Sequence, residues 1–517
     1  MTTVKFTMKT IKSLFFIALL TLPMSLLAQG PADALRFSQN YYEGTARTMA
    51  MGNAFTALGG DLGAIAINPA SSGIFRYSEF TFSPSYITSM GSSTYLNNTA
   101  NESSTKMALS NLGFVSTFNT GNYNGLLNYN FAVTINRTNS FNTIMGATGK
   151  TDQSSWLGSA ASNLQGINSS QLETTSEYNP YYKTSLPWSY LLAWDTYLLA
   201  NTPDSNVDYL GSTENIVGNN IIVGGDIEQE FYKKTTGGVN ECTINFGGNY
   251  SDFLYFGINL NLLSLNYEYN EYYAETAVNT INFQDGFNNF TNSYTQRTSG
   301  SGLNAKFGII VTPLPFLRFG ATFTTPTWYE MSDTWVRNMT SAFSNGNKYS
   351  KDSPTGAYDY CITTPFRWSI GAAITFGNRG LISADYERVD YSSITMSDSE
   401  GRNSAFSNEN KYINSNYITS NIFRLGAELL LSSSLSLRGG YDYYGTSGDD
   451  YPSVQYLTCG LGFKLGKSGK TTIDVAYQKM LELSESFTLY NDYEVTAPVG
   501  TYTGNTNKLV FTLGFKF

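Results

Sequence analysis

Arg36, Arg47 and Lys106 are the side chains of this sequence suited to hold a charged group, because a guanidinium or ammonium pairs with a carboxylate through charge-assisted hydrogen bonds. They could bind the carboxylate of an amphiphile, or an arginine in a folded-in segment could anchor that segment to carboxylates of its own chain. Other chemistry is scarce. The 517 residues include no histidine, which removes the Ser-His-Asp triad, the Asp-His dyad and imidazole ligation of a metal. A carboxylate pair could still perform acid–base work. The acidic residues are scattered through loops and turns, however, so neither an enzyme nor a bound cofactor is expected. Asp398, Glu400, Asp449 and Asp450 lack the ligand spacing of a calcium loop and read as solvated surface. Cys242, Cys361 and Cys459 are odd in number, far apart and each on the apolar side of a strand pattern, so they read as small hydrophobes.

Positioning falls to β-strands. The last nine residues place Leu509, Phe511, Leu513, Phe515 and Phe517 on one face and Val510, Thr512, Gly514 and Lys516 on the other. An apolar face ending in an aromatic suits a strand with lipid on one side and a polar lumen on the other. Phe515 and Phe517 are candidate assembly signals for the barrel-assembly machinery. Leu127, Tyr129, Phe131, Val133 and Ile135 alternate in the same way with Asn128, Asn130, Ala132, Thr134 and Asn136. Such segments recur about fourteen times, an all-β reading as a transmembrane antiparallel barrel. Long connections near 88–106, 142–238, 268–300, 327–360, 392–419, 445–454 and 483–508 alternate with six short turns. That asymmetry expects both termini in the periplasm of a Gram-negative cell, with outer-membrane lipid around the wall. A mean hydropathy of −0.22 fits, since alternation keeps any window from being uniformly apolar.

Residues 1–28 read as a secretory signal: Lys5, Lys9 and Lys12 precede an apolar run from Leu14 to Leu27, which Thr21, Pro23 and Ser25 interrupt. Losing those three lysines takes a net charge of −9 to −12, which gives no support to nucleic-acid binding. Residues 29–77 do not alternate. Because a barrel of this width cannot be filled by its own side chains, the segment is expected to fold inside as a plug, with 78–517 forming the barrel.

Within that segment stand Gly44-Thr45-Ala46-Arg47, Ala50-Met51-Gly52-Asn53-Ala54-Phe55, Gly59-Gly60-Asp61 and Asn68-Pro69-Ala70. This stretch resembles the N-terminal hatch of the FadL/TodX family of outer-membrane transporters for long-chain fatty acids and other hydrophobic compounds. Weaker echoes are Leu317-Arg318-Phe319-Gly320, Ser383-Ala384-Asp385-Tyr386 and Arg424-Leu425-Gly426-Ala427-Glu428. The resemblance implies a fourteen-stranded barrel with a hatch, capture of a hydrophobic small molecule by extracellular loops, and release through a gap in the wall. It makes Gly44, Arg47, Met51, Gly52, Gly59, Asn68, Pro69 and Ala70 hatch-motif residues. The family's kink in the third strand has no counterpart in a proline or glycine between Leu126 and Phe141, and Pro84 marks either a bulge or a local opening.

In the loop 142–238, Ser185 is expected to cap a helix with Pro187 in its first turn, running past Tyr190, Leu191, Trp194, Tyr197 and Leu198. Those five residues could line a capture groove, or the helix could pack against other loops as a lid. Passive uptake of hydrophobic compounds is the leading expectation. A surface scaffold or shuttle for a secreted or surface protein is the alternative, served by tyrosine-rich loops. A haem receptor ranks third, since the absence of histidine weakens it without excluding Tyr or Met ligation of the iron.

Overall fold

The structure is a computed structural model that describes residues 30–517 except 219, 284, 467 and 468. The signal expected over 1–28 lies outside the described residues.

Fourteen antiparallel strands close a barrel. In chain order they are β1 (Glu79–Tyr95), β2 (Asn98–Asn119), β3 (Leu126–Ser140, continuing as Thr143–Thr151), β4 (Ile227–Tyr250), β5 (Leu254–Ala277) and β6 (Phe287–Leu314). Next come β7 (Leu317–Thr324, continuing as Trp328–Phe343), β8 (Gly356–Thr363, continuing as Arg367–Thr375), β9 (Gly380–Asp390) and β10 (Thr419–Leu430). The set ends with β11 (Leu435–Tyr444), β12 (Val454–Leu465), β13 (Thr471–Met480, continuing as Leu483–Thr488) and β14 (Val499–Lys516). Each strand pairs with its neighbour in sequence, and β14 returns to β1 in a ladder from Glu79↔Lys516 to Thr94↔Thr501. Closure pairs the wall strands with one another around the lipid belt, which satisfies their backbone groups there without a sheet edge in lipid.

Strand β5 displays the pattern that sets the barrel in a membrane. Its outward residues Phe256, Ile258, Leu260 and Leu262 are exposed, while Asn259 and Asn261 face inward and are buried. Above Leu262 the pattern inverts. Ser264 and Asn266 face out, and Leu263, Leu265 and Tyr267 face in. The lipid belt therefore ends near Leu262, and the wall continues beyond it as a water-facing tube with an apolar lining.

This inversion explains where the loop boundaries differ from the sequence expectation. The connection expected over 88–106 is a hairpin that turns at Leu96 and Asn97, both left-handed at φ 47° and 63°. Above the belt the outward positions become mostly Ser, Thr and Asn, with Met90 and Met107 the exceptions, so hydrophobic alternation fades while the ladder continues. Much of 268–300, 327–360 and 483–508 is strand for the same reason, and the loop placed at 142–238 shortens to residues 152–226. Pro84 sits at a bulge, where the β1–β2 ladder slips from Ser83↔Asn111 to Pro84↔Leu109. The cysteines are free: Cys459 is exposed on the outer face and Cys242 shares the face of Ile244 and Phe246.

Candidate functional site

Residues 30–75 run inside the barrel, and their backbone is held by side chains from the inner face of the wall. Asn130 Nδ2 donates to Ser72 O (2.6 Å), Asn245 Nδ2 to Pro69 O (3.0 Å), Asn259 Nδ2 to Ile65 O (2.8 Å) and Arg318 Nη1 to Leu58 O (2.8 Å). Lys306 Nζ reaches Ala66 O, while the Asp385 carboxylate accepts from Thr56 N at 2.8 Å. A coil segment buried in a lumen needs such partners, because each unpaired peptide group costs about 1–3 kcal/mol. Close approach also needs bare wall. A Cβ on Gly308 would lie 2.0 Å from Asn68 Oδ1, one on Gly320 1.9 Å from Thr56 O, and one on Gly426 2.3 Å from Met51 O.

The motif residues sit at the points where this segment turns. Thr45 caps the helix Ala46–Ala50 by accepting from Thr48 N, and a Cβ on Gly44 would meet Thr48 Oγ1 at 2.4 Å. Gly52 and Gly59 are left-handed at φ 56° and 60°, a conformation that favours glycine, and Met51 is fully buried. Asn68 Oδ1 accepts from Ala70 N across Pro69, which opens the 3-10 turn Pro69–Ile74. Arg47 binds wall carboxylate Glu428 in a two-pronged pair (3.0 and 3.3 Å), and Glu428 also pairs with Arg438 at 2.6 Å. Of the two roles open to Arg47, the geometry is that of an anchor. Arg36 pairs with Asp33 one turn away and lies 4.9 Å over the Tyr267 ring. Lys106 lies on the upper part of β2 and has no ion-pair partner within 4 Å among the described residues.

Above this polar floor the lumen carries an apolar collar, with Gln296, Asp333 and Arg337 also buried on the inner face. The helix Pro31–Ser38 presents Ala34, Leu35 and Phe37 to a collar that includes Phe141, Leu263, Tyr267, Tyr329, Tyr360 and Tyr444. The Phe37 ring packs edge-on to Phe141 and Tyr267 at 5.6 and 5.7 Å. The helix fits closely: the cavity beside it, between Phe37, Lys306 and Arg367, is about 10 Å³, room for roughly one water.

Over the mouth, segment 152–226 packs with the tops of β5, β6 and β7 and with residues 489–498 into a second apolar cluster. The helix there spans Trp188–Asp195. Pro187 rather than Ser185 holds the N-cap position, with no side-chain cap bond, and the chain leaves the helix before Tyr197. Leu191 and Leu198 are fully buried inside the cluster, Tyr190 and Trp194 pack at its margin, and Tyr197 is 63% exposed. The five residues are thus not brought together on one open groove; the helix packs as part of a lid. Under it lie two carboxyls. Glu275 accepts from Trp156 N (2.7 Å), Gln229 Nε2 (2.9 Å) and Tyr273 Oη (2.7 Å), and Glu214 accepts from Gly211 N (2.9 Å). Burial pushes each up to about 7. Of the loop carboxylates, Asp398 is engaged by Arg402 and by the amides of Glu400 and Arg402.

The wall has one interruption beside the plug segment. The β2–β3 ladder runs only from Asn111↔Asn136 to Asn119↔Asn128. Above it β3 stays with β4 but leaves β2, and its continuation Thr143–Thr151 crosses the inner side of β1, where Ser89 Oγ donates to Asn142 O at 2.7 Å. The freed β3 carbonyls of Arg137 and Thr138 accept from the amides of Glu43 (2.8 Å) and Tyr41 (2.7 Å). Nothing in the residue types of β3 announces this break, because no proline or glycine causes it.

At the C-terminus, Phe515 faces lipid, and Phe517 N donates to Ser78 O at 3.0 Å while its ring lies 6.0 Å from that of Phe114.

No family model and no curated protein sequence matches the chain. Among solved structures it is similar to the Pseudomonas putida toluene transporter TodX, with a TM-score of 0.52 and 13% identity over 93% of this chain and 99% of that one. It is also similar to a Pseudomonas aeruginosa FadL homologue, with a TM-score of 0.51 and 10% identity over 93% and 99% of the two chains. At these identities the likeness is one of fold, and the fold is FadL/TodX-like.

Proposed function

We propose that the protein is an outer-membrane channel for passive uptake of hydrophobic small molecules, long-chain fatty acids or aromatic hydrocarbons among them, gated by residues 30–78 acting as a hatch. One observation carries the reading: above the belt the lumen holds a continuous collar of apolar and aromatic side chains, and Leu35 and Phe37 of the chain itself pack into it. A pore for ions or sugars has little use for such a collar, since its apolar faces desolvate polar solutes without pairing them. For a hydrophobic solute the same collar is favourable at about 25 cal/mol per Å² of apolar surface removed from water. The helix Pro31–Ser38 then occupies the place of the cargo, and its withdrawal opens the path. Fold similarity to a toluene transporter supports this assignment. Arg47 and its Glu428–Arg438 pair hold the hatch floor while the helix moves.

One feature favours a second reading as a platform for a secreted or surface protein. The loop hairpin formed by Glu214–Val217 and Asn220–Val223 exposes Ile216, Val217, Ile221 and Ile222, with Val278 and Ile281 also exposed on the segment it touches. Exposed aliphatic clusters of this kind mark interaction sites.

Native mass spectrometry of the purified barrel in mild detergent separates the two readings. A retained hydrophobe that long-chain fatty acids or toluene displace, and that is lost when Leu263 and Leu265 are made polar, is the result expected of the channel. A barrel that binds no such compound but keeps a protein partner, released by Ile221→Asp with Ile222→Asp, would replace it with the platform.

A further inference from the structure

Glu43 has no exposed side-chain surface, yet it carries a carboxylate into the place where the wall is interrupted. Its Oε1 pairs with Lys508 Nζ of β14 at 2.6 Å and accepts from Ser140 Oγ of β3 at 3.0 Å. Its Oε2 accepts from Ser110 Oγ of β2 at 3.0 Å. Ser110 is the extra residue of the β2 bulge opposite Pro84, so the bulge turns this hydroxyl toward the carboxylate. The two hydroxyls belong to the two strands that part above Asn111 and Asn136. The Glu43 amide meanwhile donates to Arg137 O on the β3 edge that β2 has left. One residue of the plug segment therefore spans both sides of the break, by side chain to β2 and by side chain and backbone to β3, and is tied by charge to a third strand.

We propose that Glu43 is a latch: with Lys508 as counter-ion, it holds β2 and β3 together across the break in the wall, and its release lets the two edges separate. The consequence for transport, a sideways exit from the lumen, rests on the uptake reading above; the latch does not. A buried carboxylate that loses its hydrogen bonds must be hydrated, so release draws water to the break and couples movement of residues 41–43 to separation of the strands. As a positioning residue Glu43 touches no cargo. It decides whether the wall is shut.

The test is hydrogen exchange with mass spectrometry on the folded mature barrel, read peptide by peptide, for Glu43→Gln, Lys508→Met and the double variant. A barrel with Glu43→Gln should exchange about tenfold faster over 98–110 and 137–143, the two sides of the break, and no faster over β10–β12. The double variant should loosen those segments no more than the more affected single one, as the two members of one pair do. If a charge change prevents folding, Ser110→Ala with Ser140→Ala keeps the ion pair and should still speed exchange on both sides. Unchanged exchange there, or an equal rise around the whole wall, overturns the latch. Entry of a fluorescent long-chain fatty acid into proteoliposomes is measured on the same variants. Faster exchange without faster entry supports the latch and counts against the uptake reading, whereas faster entry without faster exchange overturns the latch alone.

Discussion

Asn68 performs three tasks with one amide: Oδ1 caps Ala70 N at 2.9 Å, and Nδ2 donates to Thr56 O at 2.6 Å and to Ile309 O of β6 at 3.2 Å. Asn68→Ala takes the donor from Thr56 O and the acceptor from Ala70 N, both buried, at about 1–3 kcal/mol for each group left unpaired. The expected outcome is faster hydrogen exchange over 56–72 with wall exchange unchanged; loss of the folded barrel would instead make the segment part of the folding core. Gly320→Ala should have the same effect from the wall side, because its methyl would stand 1.9 Å from Thr56 O. The two residues differ in legibility. Asn68-Pro69 announces a turn by its chemistry. A glycine inside a strand says only that something passes close, and what passes is named by contacts hundreds of residues away.

At the scale of elements, the lid over the mouth carries a pH dependence whose sign follows from Glu275 and Glu214. Burial raises both carboxyls from 4.5 to about 7, with Tyr273 and Gln229 around the first and Glu494 adding repulsion at the second. A raised carboxyl favours the closed, protonated form. Its contribution to lid stability is complete below about pH 4.5 and is lost as the pH rises through about 7. Protection of the amides over 152–226, taken relative to their unstructured exchange rate at the same pH, is therefore expected to be higher at pH 5 than at pH 8, and Glu275→Gln should flatten that difference; an equal difference in the variant would remove Glu275 as its source. The lid was legible only in outline. The apolar run from Tyr190 to Leu199 points to a packed helix, but packing against β5–β7 decides that Leu191 and Leu198 are buried and that Tyr197 is not.

At the scale of the whole molecule, the belt of outward apolar side chains predicts how the barrel tolerates charge. Leu260→Arg places a cation on the lipid face and should destabilise the barrel by about 2–4 kcal/mol if the site lies near the bilayer midplane, measured by reversible unfolding into lipid vesicles. An exposed position above the belt, such as Asn266, should accept arginine with little change. Deleting Phe517 removes its bond to Ser78 O and its packing on Phe114, and should lower the yield of heat-modifiable barrel inserted into membranes. Alternation determined that this chain is a transmembrane barrel of about fourteen strands, because the period-2 signal is local and every wall strand must divide lipid from lumen; the closed ladder fixed the number at fourteen. Residues 29–77 stand out for the complementary reason, being too long and too rich in small residues to alternate. Tertiary structure decided the rest. Whether an inward position is floor, collar or latch depends on which part of the plug segment meets it, and pairs such as Glu43 with Lys508 or Arg47 with Glu428 join residues more than 380 positions apart. No local pattern encodes a contact made across a lumen.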